Sequence, residues 1–236
     1  MIVFGKNVVR ELLNSDKTIN KMYVQNNLSD RVSNELIALA KQKGIKIDFV
    51  SKQLLDKKAN RHQGFVCETT DFNYSTVEEI LQGAPKGELF LVLLDKIEDP
   101  HNLGAIIRTC ECAGVSGIVI PYHRACQVNE TVIKTSAGAA SNIKIARVNN
   151  LNNLIDDLKK QNVWVYALEL GGKNIYDVDL RGDIALVIGS EGFGVSSLVK
   201  KNCDDVISLV QKGKVNSLNA SVACAVAVYE ALRQRC

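Results

Sequence analysis

The sequence predicts a two-part α/β protein, a small α/β unit followed by a larger one built on a mostly parallel sheet. Three observations predict it. Apolar runs at 89–94, 117–120, 163–168 and 184–188 are continuous rather than alternating, as strands covered on both faces must be. Helical stretches at 103–112, 151–160 and 218–233 fall between or after those runs, the order that parallel strands need for their crossovers. Asn73, Ser75, Gly83, Pro85 and Gly87 punctuate a chain with only three prolines, so 71–87 reads as a linker between units at 1–70 and 88–236.

In chain order, Val8, Val9, Leu12 and Leu13 lie on one side of a first helix, and 19–24 reads as a strand. Residues 31–43 form an amphipathic helix through Val32, Leu36, Ile37 and Ala40, with Gly44 as its C-terminal stop. Strands follow at 45–50 and 64–69, and a short helix at 76–81 lies inside the linker. The larger unit then alternates strand and helix to the long last helix.

The composition excludes several classes. Hydrophobic residues at 46% and charged residues at 23% are those of a folded globular chain, not a disordered one. No apolar run approaches membrane-spanning length, and no basic-then-apolar leader opens the chain, so a cytoplasmic location is expected. Seven scattered cysteines suit free thiols in a reducing compartment, and none pair up at zinc-site spacing, so no metal is expected. The net charge of +3 is unevenly placed. Residues 1–70 carry 12 Lys/Arg against 7 Asp/Glu, an excess of five, while the remainder is negative by two. Lys52, Lys57, Lys58 and Arg61 cluster within that excess and are candidate phosphate-binding residues. A merely solvated face would look the same.

Three polar segments follow strands directly, where ligands collect in an open parallel sheet. In the first, 95–104, Asp99-Pro100 sets a turn, Asn102 can cap the next helix, and Arg108 projects about a turn and a half into it. A guanidinium there calls for a carboxylate or phosphate partner. In the second, Gly189, Gly192 and Gly194 surround Glu191 and allow close backbone approach to a ligand. In the third, 209–221, Ser217 reads as the N-cap of the last helix, with Asn219 in its first turn. Tight turns and helix caps explain each segment taken singly.

Together, in this order and spacing, they resemble the SpoU (TrmH-type) RNA 2′-O-methyltransferases of the knotted SPOUT superfamily. Asp99, Pro100, Asn102, Gly104 and Arg108 match that family's D-P-x-N-x-G-x-x-x-R motif. Residues 189–194 are similar to its G-x-E-G-x-G loop, and 213–221 to its G-x-V-x-S-L-N-x-S helix start. Ser136-Ala137-Gly138-Ala139 matches a further family segment. Phe4-Gly5, Val9, Glu11 and His62-Gln63-Gly64 resemble the substrate-binding unit of RlmB-type members. One departure is Leu209-Val210-Gln211, where the family usually has Ile-Pro-Met.

The resemblance implies a deep trefoil knot, S-adenosylmethionine (AdoMet) as methyl donor, and a homodimer with composite active sites. It also implies that Gly189, Leu209, Gly213 and Leu218 belong to the cofactor site, and that Asn102, Arg108, Glu191, Ser217 and Asn219 form the catalytic group. The RlmB-like first unit points to a guanosine of 23S ribosomal RNA, with tRNA as the rival substrate. A ribose hydroxyl is a weak nucleophile, so such a site must stabilise charge on its oxygen and align it with the methyl group. Arginine keeps its proton above pH 12 or so, which favours a charge-stabilising role for Arg108 over a basic one. His101 and His123 are loop histidines whose ordinary state is solvated. Two other classes compete. A non-catalytic RNA-binding protein would lack the polar group, and a nucleotide-dependent oxidoreductase would need a glycine fingerprint at the first strand.

Overall fold

The computed structural model describes residues 2–15, 17–70, 72–214 and 217–236, and the chain divides into two compact units, Met1–Asn73 and Tyr74–Cys236. The first comprises β1 (Ile2–Phe4), α1 (Lys6–Leu13), β2 (Thr18–Gln25), α2 (Arg31–Gln42), β3 (Ile47–Val50), α3 (Lys52–Lys58) and β4 (Phe65–Thr70). Its four strands run in the order β1-β4-β2-β3, antiparallel except for β2 beside β3. Val9, Leu12 and Leu13 of α1 and Leu36 and Ala40 of α2 bury against Met22, Val24 and Phe65 of the sheet. Val8, expected on the buried side of α1, is exposed, because one helix face cannot hold positions 8, 9, 12 and 13 all at its centre. Asp30 caps α2 by accepting from Ser33 N–H at 3.1 Å.

The second unit comprises α4 (Val77–Gly83), β5 (Phe90–Asp95), α5 (Pro100–Cys112), β6 (Gly117–Pro121), α6 (Glu130–Thr135), β7 (Ile145–Val148), α7 (Leu151–Lys160), β8 (Trp164–Asn174), β9 (Ile184–Gly189), α8 (Ser197–Asn202), β10 (Asp205–Ser208) and α9 (Ala220–Arg235). The segment expected to be a linker belongs to this unit over residues 74–87. Thr76 and Glu79 close a reciprocal capping box on α4, and Ile80 is buried in the main core. Gly and Pro punctuate that segment because it turns, not because it is free.

Six parallel strands lie in the order β10-β8-β9-β5-β6-β7. Every residue of β5 and of β9 is buried, which is why both read as unbroken apolar runs. Each fully buried Leu or Ile there contributes on the order of 2 kcal/mol, and Leu93→Ala would cost about 2–5 kcal/mol. From β5 the chain steps outward to β6 and β7. It then returns across the sheet to β8, β9 and β10, so the winding direction reverses between β5 and β9. The carboxyl ends of the strands at such a reversal form a natural ligand crevice. One irregularity enlarges it: Val206 pairs with Ala167 but Ile207 with Lys173, so 168–172 arch away from β10.

Candidate functional site

The crevice is lined by the arch after Leu168, the loop after β9 and the segment entering α9. It encloses about 360 Å³, enough for a drug-sized ligand. Gly189, Leu209, Ser217 and Leu218 line it, as does Glu191. Gly213 does not line it, and Val215 and Asn216 of the third motif lie outside the described residues.

The loop after β9 folds back on itself. Ser190 and Gly194 exchange backbone hydrogen bonds at 2.9 and 3.2 Å, bringing Gly194 against Gly189. A Cβ on Gly189 would lie 2.1 Å from the Gly194 carbonyl carbon, and one on Gly194 (φ 62°) would meet the Glu169 carboxylate. These two glycines therefore serve the loop's own packing, rather than ligand approach as the sequence suggested. Two carboxylates from neighbouring strand ends clamp its exit. Glu169 accepts from Val195 N–H at 2.8 Å, and buried Asp95 accepts from Ser196 N–H at 2.7 Å. Neither was marked by sequence reasoning, although an acid closing an apolar strand was the available signal.

On its other side the same loop walls a second cleft of about 530 Å³, lined by Lys96, Asp99, Asn102 and Arg124. Residues 190–193 line both clefts. Lys96 and Arg124 adopt positive φ, 60° and 54°, a conformation that is uncommon for residues other than glycine and collects at functional sites. The loops that carry them are tied by Cys126 N–H donating to Ile97 O at 2.7 Å. Phe193, at the loop tip, is 92% exposed, an aromatic platform that the sequence reading passed over.

Asn219 joins the three motif segments. It, and not Ser217, caps α9: its Oδ1 accepts from Ser221 N–H at 2.9 Å and Val222 N–H at 3.3 Å. Its Nδ2 donates to Asn102 Oδ1 at 2.9 Å and to the Glu191 carboxylate. The amide cannot be turned over, since that would set its NH₂ against two N–H donors. Asn102 is buried inside the first turn of α5, and the cap of that helix is Asp99, whose side chain accepts from His101 N–H at 2.9 Å.

Arg108 stands apart. Because α5 begins at Pro100, Arg108 lies about two and a half turns in, and it is exposed, with no ion pair or hydrogen bond among the described residues. His101 and His123 are exposed. Lys52 and Lys57 lie exposed on α3, and Arg61 is exposed beyond it. Lys58 instead bonds Glu68 at 2.9 Å and covers the Tyr23 ring at 4.2 Å. Among the described residues no group of three His, Cys, Asp or Glu could hold a metal ion, and no helix is long and apolar enough to cross a membrane.

Comparison with known proteins adds the following. The family model described as the SpoU rRNA Methylase family matches residues 89–229, and one described as RNA 2′-O ribose methyltransferase substrate binding matches 2–75. The chain is 40% identical to the TrmH family tRNA/rRNA methyltransferase YacO of Bacillus subtilis over 99% of its own length and 95% of that protein. The crystal structure of the SpoU methyltransferase AviRb from Streptomyces viridochromogenes in complex with AdoMet superimposes with a TM-score of 0.64, at 22% identity, over 99% of this chain and 90% of that one. The A. aeolicus TrmH/SpoU tRNA modifying enzyme superimposes with a TM-score of 0.58, at 28% identity, over 66% and 79% of the two chains.

Proposed function

The chain belongs to the SpoU rRNA methylase family and is an AdoMet-dependent RNA methyltransferase of the SPOUT α/β-knot fold, and from that premise we propose that it methylates a ribose 2′-hydroxyl of structured RNA, a guanosine of 23S ribosomal RNA. One observation carries the reading of the site: residues 190–193 form a wall shared by two clefts, and the Asn102–Asn219–Glu191 hydrogen bonds lie at that wall. One cleft suits the methyl donor and the other the acceptor nucleotide.

The residues of the first cleft fit AdoMet. Leu168, Leu209 and Leu218 supply apolar wall, and Ser190 Oγ is buried with no hydrogen-bond partner, a polar atom awaiting a ligand. When bound, AdoMet supplies an electrophilic methyl group on a sulfonium that leaves as a neutral thioether, so no general acid is required. The protein's task is to hold the 2′-hydroxyl in line and to stabilise its oxygen as the proton departs. Glu191, oriented by Asn219, presents a carboxylate to the ribose. Ser217 and Asn102 fix the hydrogen-bond directions around it.

Arg108 would supply the positive charge, delivered from a second copy of the chain. Two features support this. Arg108 is exposed without an anion, and α9, which packs on α5, leaves Leu218, Val222, Val226 and Tyr229 exposed at or near its surface. A helix apolar on both faces needs a second covering, and a homodimer would provide it. The first unit, with Lys52, Lys57, Lys58 and Arg61, would grip RNA, while residues 74–236 perform the chemistry, in the cytoplasm. Gly213 would act by shaping the turn before α9 rather than by touching AdoMet.

The test is to incubate the purified protein with AdoMet and either ribosomal RNA or tRNA lacking ribose methylation, then digest the RNA and quantify 2′-O-methylnucleosides by mass spectrometry. Methylguanosine from 23S ribosomal RNA alone is expected. Product from tRNA alone would replace the target, and base methylation would overturn the ribose assignment.

A further inference from the structure

At the far edge of the sheet, Arg147, the third residue of β7, is held between two aromatic rings. Its guanidinium carbon lies 4.0 Å from the Tyr74 ring centre and 4.6 Å from that of Tyr122. Both rings are anchored to β7 and its surroundings by backbone. Ser75 N–H donates to Ile145 O and Tyr122 N–H to Val148 O, each at 2.9 Å, and the Tyr74 hydroxyl accepts from Val128 N–H at 2.7 Å. The guanidinium plane is therefore fixed before any ligand arrives.

Aromatic rings occupy its faces and leave only its edge. Arg147 has no hydrogen bond or ion pair among the described residues, and its Nε is buried without a partner. An unpaired buried donor on a permanent cation is a state that proteins rarely keep without use. Arg147 lines an open groove of about 1050 Å³ between α4 and α7. Its carboxylates are Glu78 and Asp157, and Asp157 is paired with Lys160 at 2.8 Å.

All six strands are parallel, so Arg147 lies toward the same sheet edge as the two clefts. It is two strands beyond β5, roughly 10 Å away at ~4.8 Å per strand. An RNA strand rising ~3.4 Å per nucleotide covers that distance in about three nucleotides. We propose that the Tyr74–Arg147–Tyr122 stack is a second RNA-gripping site, which takes a backbone phosphate of the substrate a few nucleotides from the methylated ribose on the edge of Arg147. A phosphate fits better than a base, because the rings that would stack a base are already engaged by the guanidinium. The proposal rests on the RNA-methyltransferase reading above.

The test uses the full chain with Arg147→Gln and Arg147→Lys, a random-sequence RNA pool as probe, and binding measured across a series of KCl concentrations. Arg147→Gln should weaken binding roughly tenfold and make the dependence of log affinity on log salt shallower by about one unit. AdoMet affinity, melting temperature and single-turnover methylation at saturating RNA should stay as in the parent. Arg147→Lys should keep the slope but recover only part of the affinity, as a point charge lacks the fork. Unchanged RNA affinity and slope with a lowered melting temperature would reduce the stack to a structural staple and overturn the proposal. An altered sequence preference at unchanged slope would overturn it in favour of a guanine-edge contact. If the intact chain methylates no RNA, the function reading fails, while the Arg147 salt-slope comparison stays measurable in its own right.

Discussion

Asn219 does two jobs with one amide, and two substitutions separate them. Asn219→Ala removes the cap of α9, worth about 0.5–2 kcal/mol, and strips buried Asn102 of its donor, worth about 1–3 kcal/mol. The sum, on the order of 2–4 kcal/mol, should lower the melting temperature by roughly 4–12 °C for a unit of this size. Asn219→Asp keeps a good cap, since aspartate accepts from Ser221 and Val222 N–H as asparagine does. It replaces the Nδ2 donor with an acceptor facing Asn102 Oδ1 and the Glu191 carboxylate. Single-turnover methyl transfer should then fall by roughly a hundredfold, the scale of losing one positioned donor, with a smaller loss of melting temperature than in the alanine variant. Two facing carboxylates cannot both ionise freely, so one takes up a proton at higher pH than usual and regains a donor. Lowering the pH should therefore raise the activity of Asn219→Asp relative to the parent. An Asn219→Asp enzyme with parental rates at neutral pH would refute the bridging role and leave Asn219 a helix cap only.

Three further outcomes are expected. Arg108→Lys and Arg108→Ala should each slow methyl transfer by roughly a hundredfold or more while AdoMet titrations stay unchanged, and a fully active lysine variant would show that charge without the fork suffices. Joint replacement of Lys52, Lys57 and Arg61 by Gln should weaken RNA binding and flatten its salt dependence more than Lys58→Gln does, since Lys58 is committed to Glu68. Equal effects would mean that Lys58 is as available as the others. The Arg233 guanidinium, then Gln234, hold the Glu230 carboxyl at about 2, below its usual 4.5. That stabilisation is complete above the unfolded-state value and is lost as the pH falls toward 2. In urea titrations the parent should therefore lose stability over that interval more steeply than Glu230→Gln, and parallel curves would discount the pair.

The elements easiest to read in the sequence were those whose environment is uniform. β5 and β9 are buried on both faces, so their apolar runs could hardly mean anything else. Short edge elements were missed: β1, β7 and β10 have three or four residues each and owe their form to pairing partners far away in sequence. The motif residues were legible, but not their local roles. Ser217 and Asn102 both looked like caps, yet Asn219 and Asp99 are the caps, because side chains two residues away compete for the same N–H groups and only the chain path decides between them. Glu169 and Asp95 were silent because their partners, Val195 and Ser196, lie 26 and 101 residues away.

The loop after β9 sets apart what can change from what cannot. At Gly189 and Gly194 any side chain would collide with the loop itself, so drift at either position breaks the wall whatever RNA or methyl donor is used. Gly192 has nothing within 4 Å of where its Cβ would be, and Phe193 beside it projects into solvent. Mutations at these tip positions reach the acceptor cleft without disturbing the frame. Lineages diverging from this fold could thus exchange one RNA target for another by altering two neighbouring residues. A library randomised at 192 and 193 alone is the smallest set from which altered target preference should be recoverable.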